Sequence, residues 1–177
     1  AVLDPGDVAI VPEPGYAVYH GGTVLAGGEP FCYALTPRTE FLLEMAEIPP
    51  DVLRRTKLVY LNYPNNPTAA VASRDYLART VEFCRRHGIL IAYDDPYCEI
   101  TFDGYVAPSI FEIPGAMEVA VEFHSISKSF CITGWRLAWA VGRADRIAAL
   151  ARVKNYVDTG VFLAVQAAGA AVLARAE

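Results

Sequence analysis

Short runs that are almost wholly apolar alternate along the chain with longer stretches whose apolar residues recur every three or four positions. The short runs are VAIV at 8–11, FCYAL at 31–35, LVYLN at 58–62, ILIAYDD at 89–95, VAVEF at 119–123 and AWAVG at 138–142. Lacking an in-out alternation, they predict strands buried on both faces. The first is expected to close at the proline–glycine turn at 12–15, and AVYHGG at 17–22 predicts a short helix ended by Gly21 and Gly22. Ser73 is placed to cap a helix over 74–87 with Tyr76, Leu77, Val81 and Cys84 on one face and Gly88 as its stop. The stretches 144–157 and 162–176 read as two further helices. Apolar strands separated by helices predict an α/β fold, a three-layer αβα arrangement around a mostly parallel sheet. Ligands of such sheets sit beyond the carboxyl ends of the strands. The polar clusters NYPNNPT (62–68), DDPYCE (94–99) and HSISK (124–128) all follow strands, so they can converge on one crevice.

Composition narrows the function classes. The 177 residues suffice for one domain, and 54% of them are hydrophobic, enough for a sizeable core. A net charge of −5 argues against a basic footprint for nucleic acid or anionic membrane. No apolar run reaches the roughly 18 residues of a membrane span. The first residues show no basic segment followed by an apolar one, so no signal peptide is read, and a cytoplasmic setting is expected. The chain starts without Met at the approach to a strand, which reads as a piece of a longer protein. Cys32, Cys84, Cys98 and Cys131 form no C-x-x-C pair and sit in or beside apolar runs. They read as reduced, buried thiols rather than as disulfides or metal ligands. His20, His87 and His124 have no metal-ligand spacing, and no glycine-rich phosphate loop is present.

The stretch HSISKSFCITGWRLAWAVG at 124–142 concentrates the chemistry. Lys128 stands between Ser127 and Ser129, Ser125 precedes it, and Arg136 follows eight residues later. Solvated surface explains each group separately; a bound phosphate with a carbonyl beside the lysine explains them together. Asp94 and Asp95 are adjacent in a strand, so they point to opposite faces and cannot act as paired carboxylates.

Taken in order, NYPNNPT, DDPY (94–97), SISK (125–128) and GWR (134–136) resemble the fold-type I pyridoxal-phosphate aminotransferases of class I/II, and the likeness runs the length of the chain. The wording EFHSISKSFCITGWRLAWAVG, with ITFDG before it, is most similar to the LL-diaminopimelate branch. The resemblance implies pyridoxal phosphate as cofactor and no metal. It implies Lys128 as the catalytic residue, bonded to the cofactor aldehyde and moving the proton at the substrate α-carbon. Asp94 would pair with the ring nitrogen, Asn66 and Tyr97 with the phenolic oxygen, and Ser125, Ser127 and Arg136 with the phosphate, while Tyr16 would lie against the ring. Arginine suits that task because its planar fork donates parallel hydrogen bonds.

The resemblance further implies a homodimer acting on an amino acid and a 2-oxo acid, in amino-acid biosynthesis. LL-diaminopimelate with 2-oxoglutarate, on the route to lysine, is favoured. Aspartate, alanine and aromatic amino acids, or C–S lyase chemistry, are the alternatives on the same scaffold. An alternative of another class is a non-catalytic cofactor-binding sensor domain of a transcription regulator. Residues 1–177 are expected to be the central part of the large domain, with an N-terminal segment, the small domain and the arginine for the substrate carboxylate outside it. Two positions depart from the family pattern. Ala69 stands where glycine is common after NPT, and is strained if φ there is positive. Ala138 stands where glycine is common two residues after the arginine, and is expected to crowd close packing.

Overall fold

A computed structural model describes residues 1–175. Its strands are β1 (Val8–Glu13), β2 (Glu29–Ala34), β3 (Thr56–Leu61), β4 (Leu90–Asp94), β5 (Ala120–Ser125) and β6 (Ala138–Gly142). Its α-helices are α1 (Ala17–Leu25), α2 (Pro50–Arg55), α3 (Arg74–His87), α4 (Ala116–Val119), α5 (Ile126–Ser129), α6 (Ala144–Val157) and α7 (Leu163–Leu173). The strands form one sheet in the order β2-β1-β3-β4-β5-β6. Neighbours run parallel except for β6, which is antiparallel to β5. Both faces are apolar because both are covered. Ile10, Val59, Leu61, Ile91 and Tyr93 pack on the side of Tyr76, Leu77, Val81 and Cys84 from α3. Ala9, Leu58, Leu90, Ala92 and Val121 form a second cluster on the other face, with Ile147 of α6 against it. The mostly parallel, two-sided sheet expected from the unbroken apolar strands is the one observed. Among the described residues, no helix is long and apolar enough to cross a membrane.

Local chemistry explains where elements start and stop. Ser73 accepts a hydrogen bond from the backbone N–H of Tyr76 at 3.1 Å, and Gly88 ends α3 at φ 65°. Asp75 sits in the first turn and Arg85 and Arg86 in the last, each sign matching the helix dipole.

Five expectations need correction. Helix α1 does not end at Gly21 and Gly22 but runs through them to Leu25, and the left-handed Gly27 (φ 81°) follows its end. A helical glycine costs about 1 kcal/mol against alanine, which the burial of Tyr19 and Thr23 in this helix offsets. Strand β1 continues through Pro12 and Glu13, because only β2 pairs there and β3 has already separated at Ile10. Cys32 and Cys131 are exposed, so only Cys84 is a buried thiol and Cys98 is half-buried; all four are free. Ala138 is exposed at the start of the edge strand β6, so its methyl group crowds nothing among the described residues. The helix expected to 176 ends at Leu173, and residues 176 and 177 lie outside the described part.

Ala69 takes the conformation that makes its side chain costly. It lies at φ 60°, held by a hydrogen bond from its N–H to the Asn65 carbonyl at 2.8 Å, with the methyl group in solvent. Left-handed backbone costs an L-residue about 1 kcal/mol that glycine does not incur. Ala69→Gly is therefore expected to stabilise the full-length protein by about 1 kcal/mol in denaturant unfolding. A lower unfolding midpoint for the variant would show that the strain is relieved some other way.

Candidate active site

The end of β4 decides which acidic side chain faces which way. Leu90 and Ala92 point to the smaller cluster, and Ile91 and Tyr93 to the larger one. Asp94 continues the first set and Asp95 the second. Asp94 Oδ2 accepts a hydrogen bond from the Tyr19 hydroxyl at 2.5 Å. Tyr19 is fixed in turn by stacking on Tyr60 (4.8 Å, 15°) and by the edge of Tyr16 (5.8 Å, 88°). Burial pushes the Asp94 carboxyl up, while the Tyr19 hydrogen bond and the nearby His124 pull it back toward the charged form. The Tyr19 phenol is pushed up by burial and then by Asp94, so it remains a donor.

The NYPNNPT cluster is a turn built on asparagine side chains. Asn62 donates to the Asp94 carbonyl (2.7 Å) and accepts from the Asn66 N–H (2.7 Å). Asn65 accepts from the Thr68 hydroxyl at 2.7 Å. The turn after β3 is thus tied to the end of β4, which brings Asn66 beside Tyr97. Burial raises the Tyr97 phenol, Asp94 and Tyr16 add to that, and the hydrogen bond with the Asn66 side chain opposes it. Lys128 Nζ lies 6.0 Å from the centre of the Tyr97 ring.

The connection from β5 to β6 holds the remaining groups. Ser125 caps the short α5 by accepting from the Ser127 N–H (3.1 Å) and donates to the Leu137 carbonyl (3.3 Å). The Thr133 hydroxyl donates to the Ser127 carbonyl (3.1 Å), and Arg136 Nη1 donates to the Thr133 carbonyl (2.7 Å). Arg136 takes a left-handed backbone conformation at φ 54°. The expected site residues therefore fall into two groups. Tyr16, Asn66, Asp94, Tyr97 and Lys128 gather beyond the ends of β1, β3, β4 and β5. Ser125, Ser127 and Arg136 share one loop, with the exposed Arg136 fork turned partly to its own backbone. Tyr16, 48% exposed, stands edge-on to Tyr19 beside a cavity of about 500 Å³ that Asp94 and Ser125 also line. A primary amine, a half-buried carboxylate, a phenol–amide pair, and serine hydroxyls with a guanidinium in one loop suit a ligand with an aldehyde, a basic ring nitrogen, a phenolic oxygen and a phosphate. Pyridoxal phosphate has these four groups.

Two features escaped the sequence reading. Tyr19 lies three residues after Tyr16 in α1, a spacing that places both on one face of the helix, and this was its only signal. Glu122, the single charge in VAVEF, is 1% exposed. It accepts from the Ser109 hydroxyl (2.8 Å), the Ile110 N–H (2.9 Å) and His124 Nε2 (2.6 Å). That last bond is the main cause raising the His124 pKa. A charge inside an otherwise apolar strand was the available hint.

A family model described as aminotransferase class I and II matches residues 1–177. The chain is 53% identical over 171 residues to the LL-diaminopimelate aminotransferase of Desulforudis audaxviator (strain MP104C), covering 97% of this chain and 44% of that protein. It is 54% identical over 171 residues to the protein of the same name from Moorella thermoacetica (strain ATCC 39073 / JCM 9320), with the same coverage. The substrate-bound structure of BacF from Bacillus subtilis superposes with a TM-score of 0.92 at 39% identity, over 98% of this chain and 44% of that one. The chain thus spans less than half the length of the relatives it matches.

Asp95 carries a pH signature. Burial, and then the charge of Glu122, raises its carboxyl from 3.8 to about 7; Asp94 adds to the rise, while His124 and Cys98 oppose it. A carboxyl raised on folding destabilises the folded state above its unfolded pKa. The cost is absent below pH 3.8 and complete above pH about 7. Asp95→Asn is therefore expected to raise the melting temperature of the chelator-treated full-length protein, with a gain that grows as pH rises from about 5 to about 8. A gain that is flat or shrinks across this range would count against a buried, proton-binding Asp95.

Proposed function

The chain belongs to the class I and II aminotransferases, a pyridoxal-phosphate-dependent family, and on that premise we propose that residues 1–177 are the central part of the cofactor-binding large domain of a transaminase. The observation that carries this reading is Lys128 at the turn after β5, beside Tyr97 and one strand from Asp94.

When bound, the cofactor supplies an electron sink for the charge left at the substrate α-carbon. The chain's own groups bind and orient. Lys128 would hold the cofactor through its amine, and the same amine would carry the α-proton. Asp94 would pair with the ring nitrogen and keep it protonated, and the Tyr19 hydroxyl fixes that carboxylate by favouring its charged form. Asn66 and Tyr97 donate to the phenolic oxygen. Ser127 and Arg136 would donate to the phosphate, and Ser125 would join them once its single hydroxyl proton turns from the Leu137 carbonyl; among the described residues only Nη1 of Arg136 is engaged, which leaves Nη2 and Nε as donors. Tyr16 would cover one face of the ring. Borohydride reduction of the full-length protein followed by peptide mapping is expected to find the cofactor on Lys128. Label on another residue, or none, would overturn the assignment.

The favoured substrates are LL-diaminopimelate and 2-oxoglutarate, supported by the two relatives at 53% and 54% identity. The expected result is a kcat/KM for LL-diaminopimelate at least tenfold above those for aspartate, alanine and aromatic amino acids. An equal or reversed ranking would move the protein to another branch of the family. Four free thiols fit a reducing compartment, in keeping with action in the cytoplasm. A homodimer is the proposed assembly. Tyr156, Val157, Phe162 and Leu163 at the α6–α7 junction are all at least 75% exposed, and a second subunit can cover them. An active full-length monomer in sedimentation at micromolar concentration would exclude this assembly.

A further inference from the structure

We propose that Asp95, Cys98 and His124 form a site for a divalent transition-metal ion of the zinc type, on the side of β4 opposite to Asp94. One carboxylate oxygen of Asp95, the Cys98 sulfur and a His124 ring nitrogen lie within 4.8 Å of one another. Asp95 is 2% exposed, yet its Oδ1 has no hydrogen-bond donor among the described residues. A buried carboxylate oxygen without a donor is what a cation satisfies. His124 is oriented as metal-binding histidines are. Its Nε2 bonds Glu122 Oε1 at 2.6 Å, which leaves Nδ1 with the free lone pair, and Glu122 is itself held by Ser109 and Ile110.

The backbone makes this convergence. Asp94 lies in register with Phe123, and the Asp95 N–H donates to the Phe123 carbonyl at 2.8 Å, so Asp95 and His124 leave neighbouring strands side by side. The turn over 96–99 then folds Cys98 back, with its thiol donating to the Asp95 carbonyl at 3.4 Å. All three side chains open onto a cavity of about 600 Å³, shared with Glu99, Ser129 and Trp139. That leaves a fourth coordination position for water. One sulfur, one nitrogen and one oxygen suit zinc and not magnesium or calcium, which take oxygen ligands. Zinc bond lengths require ligand atoms about 3.3–3.7 Å apart, a contraction within the reach of side-chain rotation. An ion here ties together the ends of β4 and β5, the strands that carry Asp94 and Ser125. The ligands come from two strand ends, so no Cys or His spacing announces them.

The test uses the full-length protein, stripped with EDTA, gel-filtered, and titrated with zinc chloride against a chromophoric chelator. The expected result is one zinc per chain at micromolar affinity or tighter. Cys98→Ser and His124→Asn should each weaken binding at least tenfold, Glu122→Gln should weaken it about tenfold, and Cys131→Ser should leave it unchanged. Zinc should also raise the melting temperature of the unmodified protein. X-ray absorption on that protein decides the case even if the variants fail to fold, because it should show one sulfur in the zinc shell. No stoichiometric zinc, a shell without sulfur, or affinity unchanged in folded Cys98→Ser and His124→Asn would overturn the site.

Discussion

The arrangement rests on the side-to-side alternation of β4, a strand buried on both faces. Ile91 and Tyr93 fill one core and Leu90 and Ala92 the other, so the register cannot slip by a residue without exchanging the two sets. Packing within the strand thereby fixes the direction of the two carboxylates beyond it. Parallel pairing with β5, Asp94 opposite Phe123, then sets where the turn bearing Lys128 begins. A polar constellation beyond the strand ends is held in place by apolar side chains within the strand.

The two neighbouring aspartates show how one backbone supports two electrostatic environments. Asp94 has a phenol as donor and a histidine nearby, both of which favour its charge. Asp95, one residue on, is the less exposed residue and has the Glu122 carboxylate as its strongest charged neighbour, and one of its oxygens has no donor among the described residues. Identical side chains in adjacent positions thus differ mainly in what the opposite face of the sheet offers them.

Much of this was legible in the sequence, for local reasons. Ser73 and Gly88 bound α3, and the residues 144–157 form α6, because caps and periodicity act over a few residues. The unbroken apolar strands announced a sheet covered on both sides, and the polar clusters after them announced the crevice. What was not legible depends on contacts between distant segments. Gly21 and Gly22 stay helical because α1 docks on the sheet through Tyr19. Tyr19 reaches Asp94 only once α1 lies over that face. Cys98, Asp95 and His124 meet only because β4 and β5 pair. The two alanines at family glycine positions divide in the same way. The turn chemistry of 62–68 makes φ positive at Ala69, whereas the edge position of Ala138 is a property of the sheet.

The antiparallel return of β6 along β5 has a consequence for how the molecule assembles. The contact from Ser125 to Leu137 spans 12 residues, while that from Tyr19 to Asp94 spans 75. Loop-closure entropy makes the longer contact costlier by about 1.5 kcal/mol before any packing offsets it. The hairpin carrying Ser125, Ser127, Lys128 and Arg136 is thus a short-range unit, able to form early, and the carboxylate half is completed only when α1 docks across the sheet. During synthesis from the N-terminus the order of emergence is reversed: Tyr19 and Asp94 precede Lys128. The later of the two segments to appear is the quicker to close, so Lys128 and the loop bearing Ser125, Ser127 and Arg136 arise together against a carboxylate whose partners are already present.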